Sequence, residues 1–387
     1  MLGSLFGKGR PVAAIQSTPW GDWGDSATVA ASGARVSVSS SLQLLTVYGC
    51  NRFIADGVST LPVDVLRRRP DGSPEQIPTP AVIAQPTPDL DFTAWATQIL
   101  TSLLLAGNAY VLVTRSGRQV VELLPLDPAK IQVVRRNGRK VFVSGGTELS
   151  AFEVLHIPGV MFPGSDVGLS PVEAARQAIG VGMSAKEFGG RFFGQGTTLS
   201  GVIEVPTELN ADKAKEMARS WAKSHGGASK SNLPGVLQGG ATWKPTQLSN
   251  EQSQFLETQG YTASEIAGQM FLIDPAEMGL PVQGSSLTYA NLEQRNARKV
   301  QVTFLPWIVR LERALTALLP RPQYVKLNVN GLLRGDTKTR FDAYAVGITN
   351  KFMVPNEARE FEDWSPLPGG DAVTTTPPPV MPDQENQ

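Results

Sequence analysis

The sequence predicts an α+β fold in which two long helices carry a small inserted unit at their far end. Three observations lead there. Short strands separated by turn signals crowd residues 63–157. Two capped helical stretches, Ser170 to Gly194 and Ser249 to Phe271, bracket an insert that reads strand, helix, strand, strand. A third helical pattern, Leu287 to Leu318, holds Pro306 inside it. With 387 residues, 41% of them apolar, the chain can bury a core in each of two or three units.

Residues 1–39, rich in Gly, Ser and Ala without sustained periodicity, read as a flexible arm. A helix from Leu42 to Leu61 stops at Pro62, and a strand, Val63 to Leu66, follows. Cys50 sits at helical spacing with Val47, Ile54, Val58 and Leu61, the setting of a buried apolar residue. As the single cysteine it excludes an internal disulfide and a multi-cysteine zinc site. A second helix, Phe92 to Ala106, ends at the C-cap pair Gly107-Asn108. Strands Ala109 to Thr114 and Val120 to Leu124 surround a Ser116-Gly117 turn. Ile131 to Arg135 and Lys140 to Ser144 surround Asn137-Gly138, the strongest short hairpin signal. This α+β region closes near His156.

Ser170, Pro171 and Glu173 form a capping box with proline at the first helical position, and Ser249 with Gln252 repeats the device. In the first helix Ala174, Ala178, Val181, Ala185, Phe188 and Phe192 form one stripe; in the second Leu256, Ala263, Ile266, Ala267 and Met270 do. Gly180, Gly182, Gly189, Gly190, Gly260 and Gly268 each cost roughly 1 kcal/mol against alanine, which implies close packing. Within the insert, Val202 to Val205 is a strand, Ala211 to His225 a helix capped by Asn210, and Val236 to Gln238 and Thr242 to Leu248 are further strands. Pro306 predicts a kink in the third helix. The half before it is nearly all polar and cannot be core; the half after it carries Phe304, Ile308, Leu311, Leu315 and Leu318. A strand, Tyr324 to Val329, precedes a helix capped by Asp336 with Phe341, Tyr344, Ala345 and Ile348 on one face. Gly347 and Asn350 break it before Asn356 to Trp364.

The search for chemistry is largely negative. Charges balance at 35 basic and 35 acidic residues, which argues against a sequence-reading DNA binder. Balance is compatible with a conduit, because a strongly cationic wall would grip phosphates and hinder sliding. His156 and His225 are the only histidines; the first reads as a satisfied structural residue in an apolar strand, the second as a cation suited to a helix C-terminus. The Gly3 to Gly9 stretch falls short of a phosphate loop, and Ser220 with Lys223 is an unsupported S-x-x-K match. The basic runs Arg67 to Arg69 and Arg135, Arg136, Arg139, Lys140 read as solvated strand ends or hairpin tips. No cofactor and no metal are expected. Met1 to Arg10 does not read as a secretory leader and no run is long enough to cross a bilayer, so a soluble protein made in a reducing cytoplasm is expected.

Several segments, taken in order and spacing, carry a specific resemblance. They are Gly107-Asn108-Ala109-Tyr110, Val154-Leu155-His156-Ile157, Gly168-Leu169-Ser170-Pro171, Phe192-Phe193-Gly194-Gln195-Gly196, Leu248-Ser249 with Gln254-Phe255-Leu256-Glu257, Ile266-Ala267, and Pro355-Asn356-Glu357-Ala358-Arg359 before Pro366 and Gly369-Gly370-Asp371. Across residues 40–370 the chain resembles the portal proteins of tailed bacteriophages, in the branch similar to the HK97 portal. Two places depart from the family pattern: Val354 stands where a capping Thr or Ser is common, and Phe271-Leu272-Ile273-Asp274-Pro275 replaces a glycine-valine-proline stretch.

The resemblance implies a non-enzymatic ring, typically of about twelve copies, at the unique capsid vertex of the virion, assembled in the host cytoplasm. It implies a wing at 40–169 after the arm, stem helices at 170–196 and 249–272, a clip at 197–248 and a tunnel loop at 273–286. The kinked helix and a wing strand take 287–335, the crown 336–370 and a disordered tail 371–387. The implied partners are double-stranded DNA passing through the channel, the terminase large subunit, a head-tail adaptor, and capsid and scaffold proteins, with no membrane. The implied site residues are Gly279, Gln283, Gly284, Ser285 and Ser286 facing DNA from the tunnel loop. Asn291, Gln294, Arg295, Arg298, Lys299 and Pro306 would lie at the lumen or a subunit interface. Lys213, Lys215, Lys223, Lys230 and Lys244 would serve docking at the clip, and Asn356, Glu357 and Arg359 form the crown motif. A smaller connector or capsid-shell protein, or a DNA-packaging nuclease or ATPase, stays open as the alternative at this point.

Overall fold

Helix Phe92–Ala106 turns a broad apolar face into the core and a narrow polar one outward: Trp95, Ile99, Leu100, Leu103, Leu104 and Leu105 are each at most 2% exposed, whereas Thr93, Ala94 and Gln98 are exposed. The computed structural model in which it sits describes residues 28–195, 201–204, 206, 210, 212–213, 215–217, 219–220, 242–245, 259–280, 295–329, 337–362 and 364–373. These belong to two units, one spanning residues up to 285 together with 301–327, the other 286–300 with 328–387.

The first unit opens with a hairpin of β1 (Thr28–Val29) and β2 (Arg35–Val36), followed by a short helix, Val38–Ser41, capped by Ser37. Residues 28–39 of the arm expected to be flexible over 1–39 thus lie in this hairpin and helix. Ala30 and Val36 are buried, and Ala31 N–H donates to Gln177 Oε1 at 2.9 Å. A Cβ on Gly180 would come within 2.3 Å of the Ala30 side chain, so that glycine is what admits the hairpin.

Helix Leu45–Ser59 packs Val47, Cys50, Ile54 and Val58 against Phe92–Ala106. Burial pushes the Cys50 thiol up to about 12, as befits an apolar core residue. β3 (Val63–Arg68) lies between β4 (Pro74–Ile77) and the distant β13 (Gln323–Leu327). After a short helix, Ala81–Ala84, and Phe92–Ala106, β5 (Asn108–Ser116) pairs with β6 (Gln119–Leu126) on one side and β10 (Val154–Pro158) on the other. β7 (Ile131–Arg136), β8 (Arg139–Ser144) and β9 (Thr147–Ser150) form a third antiparallel sheet. Its first turn has φ of 50° at Asn137 and 75° at Gly138, the left-handed pair that Asn-Gly supplies with least strain. β4 and β9 were not legible in the sequence, being four residues each and without alternation of apolar and polar side chains across both faces.

The first long helix starts at Ser170, whose hydroxyl accepts Glu173 N–H at 3.3 Å and donates to Leu105 O at 3.0 Å. It breaks at Ala175 into Pro171–Ala174 and Arg176–Gln195. Its buried face is Val172, Ile179, Gly182 and Ala185, whereas Val181 and Phe188 of the expected stripe are 42% and 55% exposed. Gly180 and Gly182 decide this: their missing side chains let the hairpin and Leu44 press on that side and turn Val181 outward. No neighbour lies within 4 Å of a Cβ on Gly190, so close packing does not account for that glycine.

In the insert, β11 (Gly201–Glu204) and β12 (Thr242–Pro245) pair antiparallel, and Asn210 Oδ1 accepts Asp212 N–H at 2.7 Å ahead of helical residues 212–213, 215–217 and 219–220. The Ser249 cap, the Val236 to Gln238 strand, His225 and the Asp336 cap lie outside the described residues. The second long helix is described from residue 259 and ends in a π-turn, Ile266–Met270. At Pro306 the structure places a π-segment, Lys299–Phe304, directly before helix Leu305–Thr316. Proline has no N–H for the carbonyl four residues back, and the wider turn absorbs that mismatch. Phe304 anchors this point, its ring 5.7 Å from that of Phe53 and its tip where a side chain on Gly57 would be. Glu312 ties the helix to the sheet: its carboxylate accepts Leu327 N–H at 2.9 Å and Lys326 Nζ at 3.0 Å.

The second unit contains helices Thr337–Thr349 and Pro355–Phe361. The predicted inner face of the first is only partly covered: Phe341 is 38% exposed, though its ring stacks 6.0 Å from Trp364. The second starts without a side-chain cap at Val354, but Glu357 accepts Val354 N–H at 2.9 Å.

Candidate functional site

Three of the segments that carry the resemblance converge on one buried hydrogen-bonded node. Asn108 leaves the helix behind Gly107, whose φ of 73° is the left-handed cap. Its side chain donates to Gly168 O at 2.8 Å and accepts Gly168 N–H at 2.7 Å. The same Oδ1 lies 2.9 Å from His156 Nε2, and His156 Nδ1 lies 2.7 Å from Lys140 Nζ. A lysine ammonium only donates, so Nδ1 is the acceptor and the ring is the neutral Nε2–H tautomer. Burial first, then the charge of Lys140, lowers His156 to about 3. The ring stacks on Tyr110 at 4.7 Å, opposite it in the β5–β10 register.

Lys140 also donates to Asp166 O at 2.6 Å, and Arg135 holds the Asp166 carboxylate through two bonds of 2.7 Å. Arg135 thereby keeps Asp166 below the usual carboxylate range, and desolvation lowers Lys140. The run Arg135 to Lys140, expected as a solvated hairpin tip, is corrected here: its ends bind the loop before the first long helix. Arg136 pairs with Glu148, and Arg67 and Arg69 with Glu75. The node has a neutral histidine, and the Lys140 and Arg135 donors are taken up by His156 and Asp166. Its chemistry is positional, fixing the loop 159–170 to the end of helix Phe92–Ala106.

Next to that loop lies a cleft of about 560 Å³. Val160, Leu169, Ala174, Ala178, Ile266, Met270, Leu272, Val302 and Trp307 give it apolar walls. Arg310 is the cation there, its guanidinium donating to Pro306 O at 2.8 Å and lying 5.2 Å from the Trp307 ring centre.

The predicted site residues distribute as follows. Gly279 is exposed with φ of 67°, after a turn capped by Asp274. Gln283, Gly284, Ser285, Ser286, Asn291, Gln294, Lys223 and Lys230 lie outside the described residues. Arg298 is exposed, Arg295, Lys299 and Pro306 are half-buried, and Lys213 and Lys215 are exposed on the insert's helical residues. Lys244 pairs through its backbone with Val202. The residues expected as a crown motif form a clamp. Asn356 accepts Leu367 N–H at 2.7 Å and donates to Leu367 O at 3.1 Å and Asp371 Oδ1 at 2.8 Å, while Arg359 donates to Ser365 O at 2.7 Å. Sequence reasoning missed the pairing of Asn108 with His156. The available signal was a polar residue in each of two apolar strands that pair.

Among the described residues no helix is long and apolar enough to cross a membrane. Residues 45–363 match the family described as phage portal protein. The probable portal protein of Streptomyces phage phiC31 is 31% identical over 398 residues, covering 95% of this chain and 86% of that one. The portal protein of Enterobacteria phage HK97 is 27% identical over 349 residues, covering 86% of this chain and 81% of that one. Among solved structures, the neck of a native gene transfer agent particle computed with C12 symmetry superposes with a TM-score of 0.59 at 20% identity, covering 85% of this chain and 94% of that one.

Proposed function

The chain belongs to the phage portal protein family, and from that premise we propose that about twelve copies close into a ring at one capsid vertex and form the channel through which double-stranded DNA is packaged and ejected. Portal proteins form ring oligomers in the virion; the copy number here takes support from the C12 symmetry of the similar neck structure. The observation that carries the reading is the match over residues 45–363, which extends from helix Leu45–Ser59 past helix Pro355–Phe361.

Within the ring, residues 40–169 with β13 serve as the wing, and the pairing of β13 with β3 supports that assignment. The long helices at 170–196 and 249–272 serve as the stem, 197–248 as the clip and 336–370 as the crown. Gly279 and residues 283–286 face DNA, and the polar stretch from Asn291 to Lys299 lines the lumen or a subunit interface. The exposed Lys213 and Lys215, with Lys223, Lys230 and Lys244, meet the terminase large subunit and later a head-tail adaptor. The role is structural and non-enzymatic, translocation energy coming from the motor. Electron microscopy with native mass measurement tests the reading: a ring of about a dozen copies with an open axial channel is expected, and a stable monomer or a closed shell overturns it.

A further inference from the structure

We propose that the second unit carries a docking floor for a proline-rich segment of the same chain: the run Pro377-Pro378-Pro379-Val380-Met381-Pro382 lies in polyproline II form across the rings of Phe341, Tyr344, Phe361 and Trp364. The floor is one connected set of rings. Phe341 stacks on Trp364 at 6.0 Å and meets Tyr344 edge-on at 6.0 Å, and Tyr344 stacks on Phe361 at 6.3 Å. It is open: Phe341, Phe361 and Trp364 are 38%, 37% and 50% exposed. Cover is scarce in this unit, since among the described residues from 340 to 373 only Asn356, Ala358 and Gly370 are buried. An exposed aromatic surface on a unit with so little core marks an interaction site. The rings are held before anything docks: Glu362 accepts Tyr344 O–H at 2.9 Å and an Arg340 N–H at 3.0 Å. A fixed floor loses little ordering entropy on binding.

The occupant follows from chemistry and from chain continuity. Proline rings present apolar faces that pack on aromatic side chains, and a proline run is already restricted to the extended left-handed helix, so docking it costs little conformational entropy. The segment also starts close by. Asp371 accepts from Asn356 at 2.8 Å, Arg359 lies about one turn further along the same helix, and its guanidinium is 5.4 Å from the Trp364 ring centre. Pro377 is six residues beyond Asp371, a reach of roughly 19 Å at about 3.1 Å per residue. Tethering keeps such a segment at an effective concentration of about millimolar. The charges agree as well: Arg359 sets a cation at the Trp364 edge, and Asp383 and Glu385 follow the prolines. The docking is independent of the ring reading above and holds for a single chain.

Hydroxyl-radical footprinting of the full chain, with the oxidation rate of Trp364 read by mass spectrometry, tests this. Deleting Thr374 to Gln387 is expected to raise that rate about threefold, because oxidation follows the accessible surface of the ring, with the circular dichroism unchanged. Pro377→Ser, Pro378→Ser, Pro379→Ser and Pro382→Ser combined in the full-length chain are expected to raise it similarly, which separates loss of docking from any loss of fold in the shortened chain. A Trp364 rate that stays slow in either variant overturns the docking and gives the floor another cover, a second copy where the slow rate is confined to assembled rings. A rate already as fast in the wild-type chain as in the variants also overturns it, since the rings are then bare.

Discussion

Asn108 pairs with Gly168 as a strand neighbour would, its side-chain amide donating to the glycine carbonyl at 2.8 Å and accepting the glycine N–H at 2.7 Å. The residue that leaves helix Phe92–Ala106 thus satisfies both backbone groups of a residue two places before the Ser170 cap. Asn108 is 8% exposed, so water does not readily replace it. Asn108→Ala leaves those two groups and His156 Nε2–H unpaired, and at about 1–3 kcal/mol for each unsatisfied group the loss is about 3 kcal/mol or more. Asn108→Asp keeps the shape but turns a donor into an acceptor facing a carbonyl, and a similar loss is expected. Denaturant midpoints measure both; an unmoved midpoint in either variant sinks the argument.

Gly107 and Gly117 both have positive φ, 73° and 63°. They differ in surroundings. A Cβ on Gly107 would lie 2.0 Å from Leu169 O, whereas one on Gly117 meets nothing within 4 Å. Left-handed backbone costs alanine roughly 1–2 kcal/mol at either site. Gly117→Ala is therefore expected to lose about that much, and Gly107→Ala several kcal/mol more, or its soluble expression, because the obstacle is backbone. Comparable melting temperatures for the two variants would mean that conformation alone explains Gly107.

His156 makes stability depend on pH. Its folded value of about 3 lies below the ordinary histidine value, so between about pH 6.5 and 3 the unfolded chain binds a proton that the folded chain does not. Stability is full above that window and falls as the pH drops through it, by at most about 1.4 kcal/mol per pH unit for one proton. Melting temperatures from pH 7.5 to 4.5 should show the decline, before most carboxylates titrate. His156→Gln should flatten the slope, and an unchanged slope in that variant would place its source elsewhere.

The architecture of the first unit was legible wherever a signal is local. Helix Phe92–Ala106 and the Asn137-Gly138 hairpin fall where periodicity and turn chemistry put them, because a run of apolar residues and an Asn-Gly pair act within a few residues. What the sequence hides is contact over distance. Asn108 reads as a helix C-cap and His156 as a satisfied core residue, and both readings hold. Their joining across 48 residues, with Lys140 as third member, has no periodic signature. The buried side of helix Arg176–Gln195 escapes the periodicity for the same reason, since Gly180 is a contact point for a hairpin some 150 residues earlier and Gly182 for Leu44. That hairpin was itself invisible, its strands being two residues each.

The second unit repeats the device with other residues. Asn356 pairs with both backbone groups of Leu367, at 2.7 and 3.1 Å, and adds Asp371 Oδ1 at 2.8 Å, while its own N–H donates to Gly370 O at 3.1 Å. A Cβ on Gly370 would sit 2.3 Å from Asn356 Oδ1, so that glycine is needed for the amide to reach Leu367. Asn356→Ala and Gly370→Ala should therefore release the same loop. Hydrogen exchange reads this directly: a loss of about 2.7 kcal/mol speeds exchange of the Leu367 amide about a hundredfold. The Val325 amide, which donates to Thr316 Oγ1 in the first unit, should be unchanged. Because both substitutions break one clamp, the double variant should exchange little faster than either single variant. Additive acceleration would show that Gly370 serves a purpose other than admitting the Asn356 side chain.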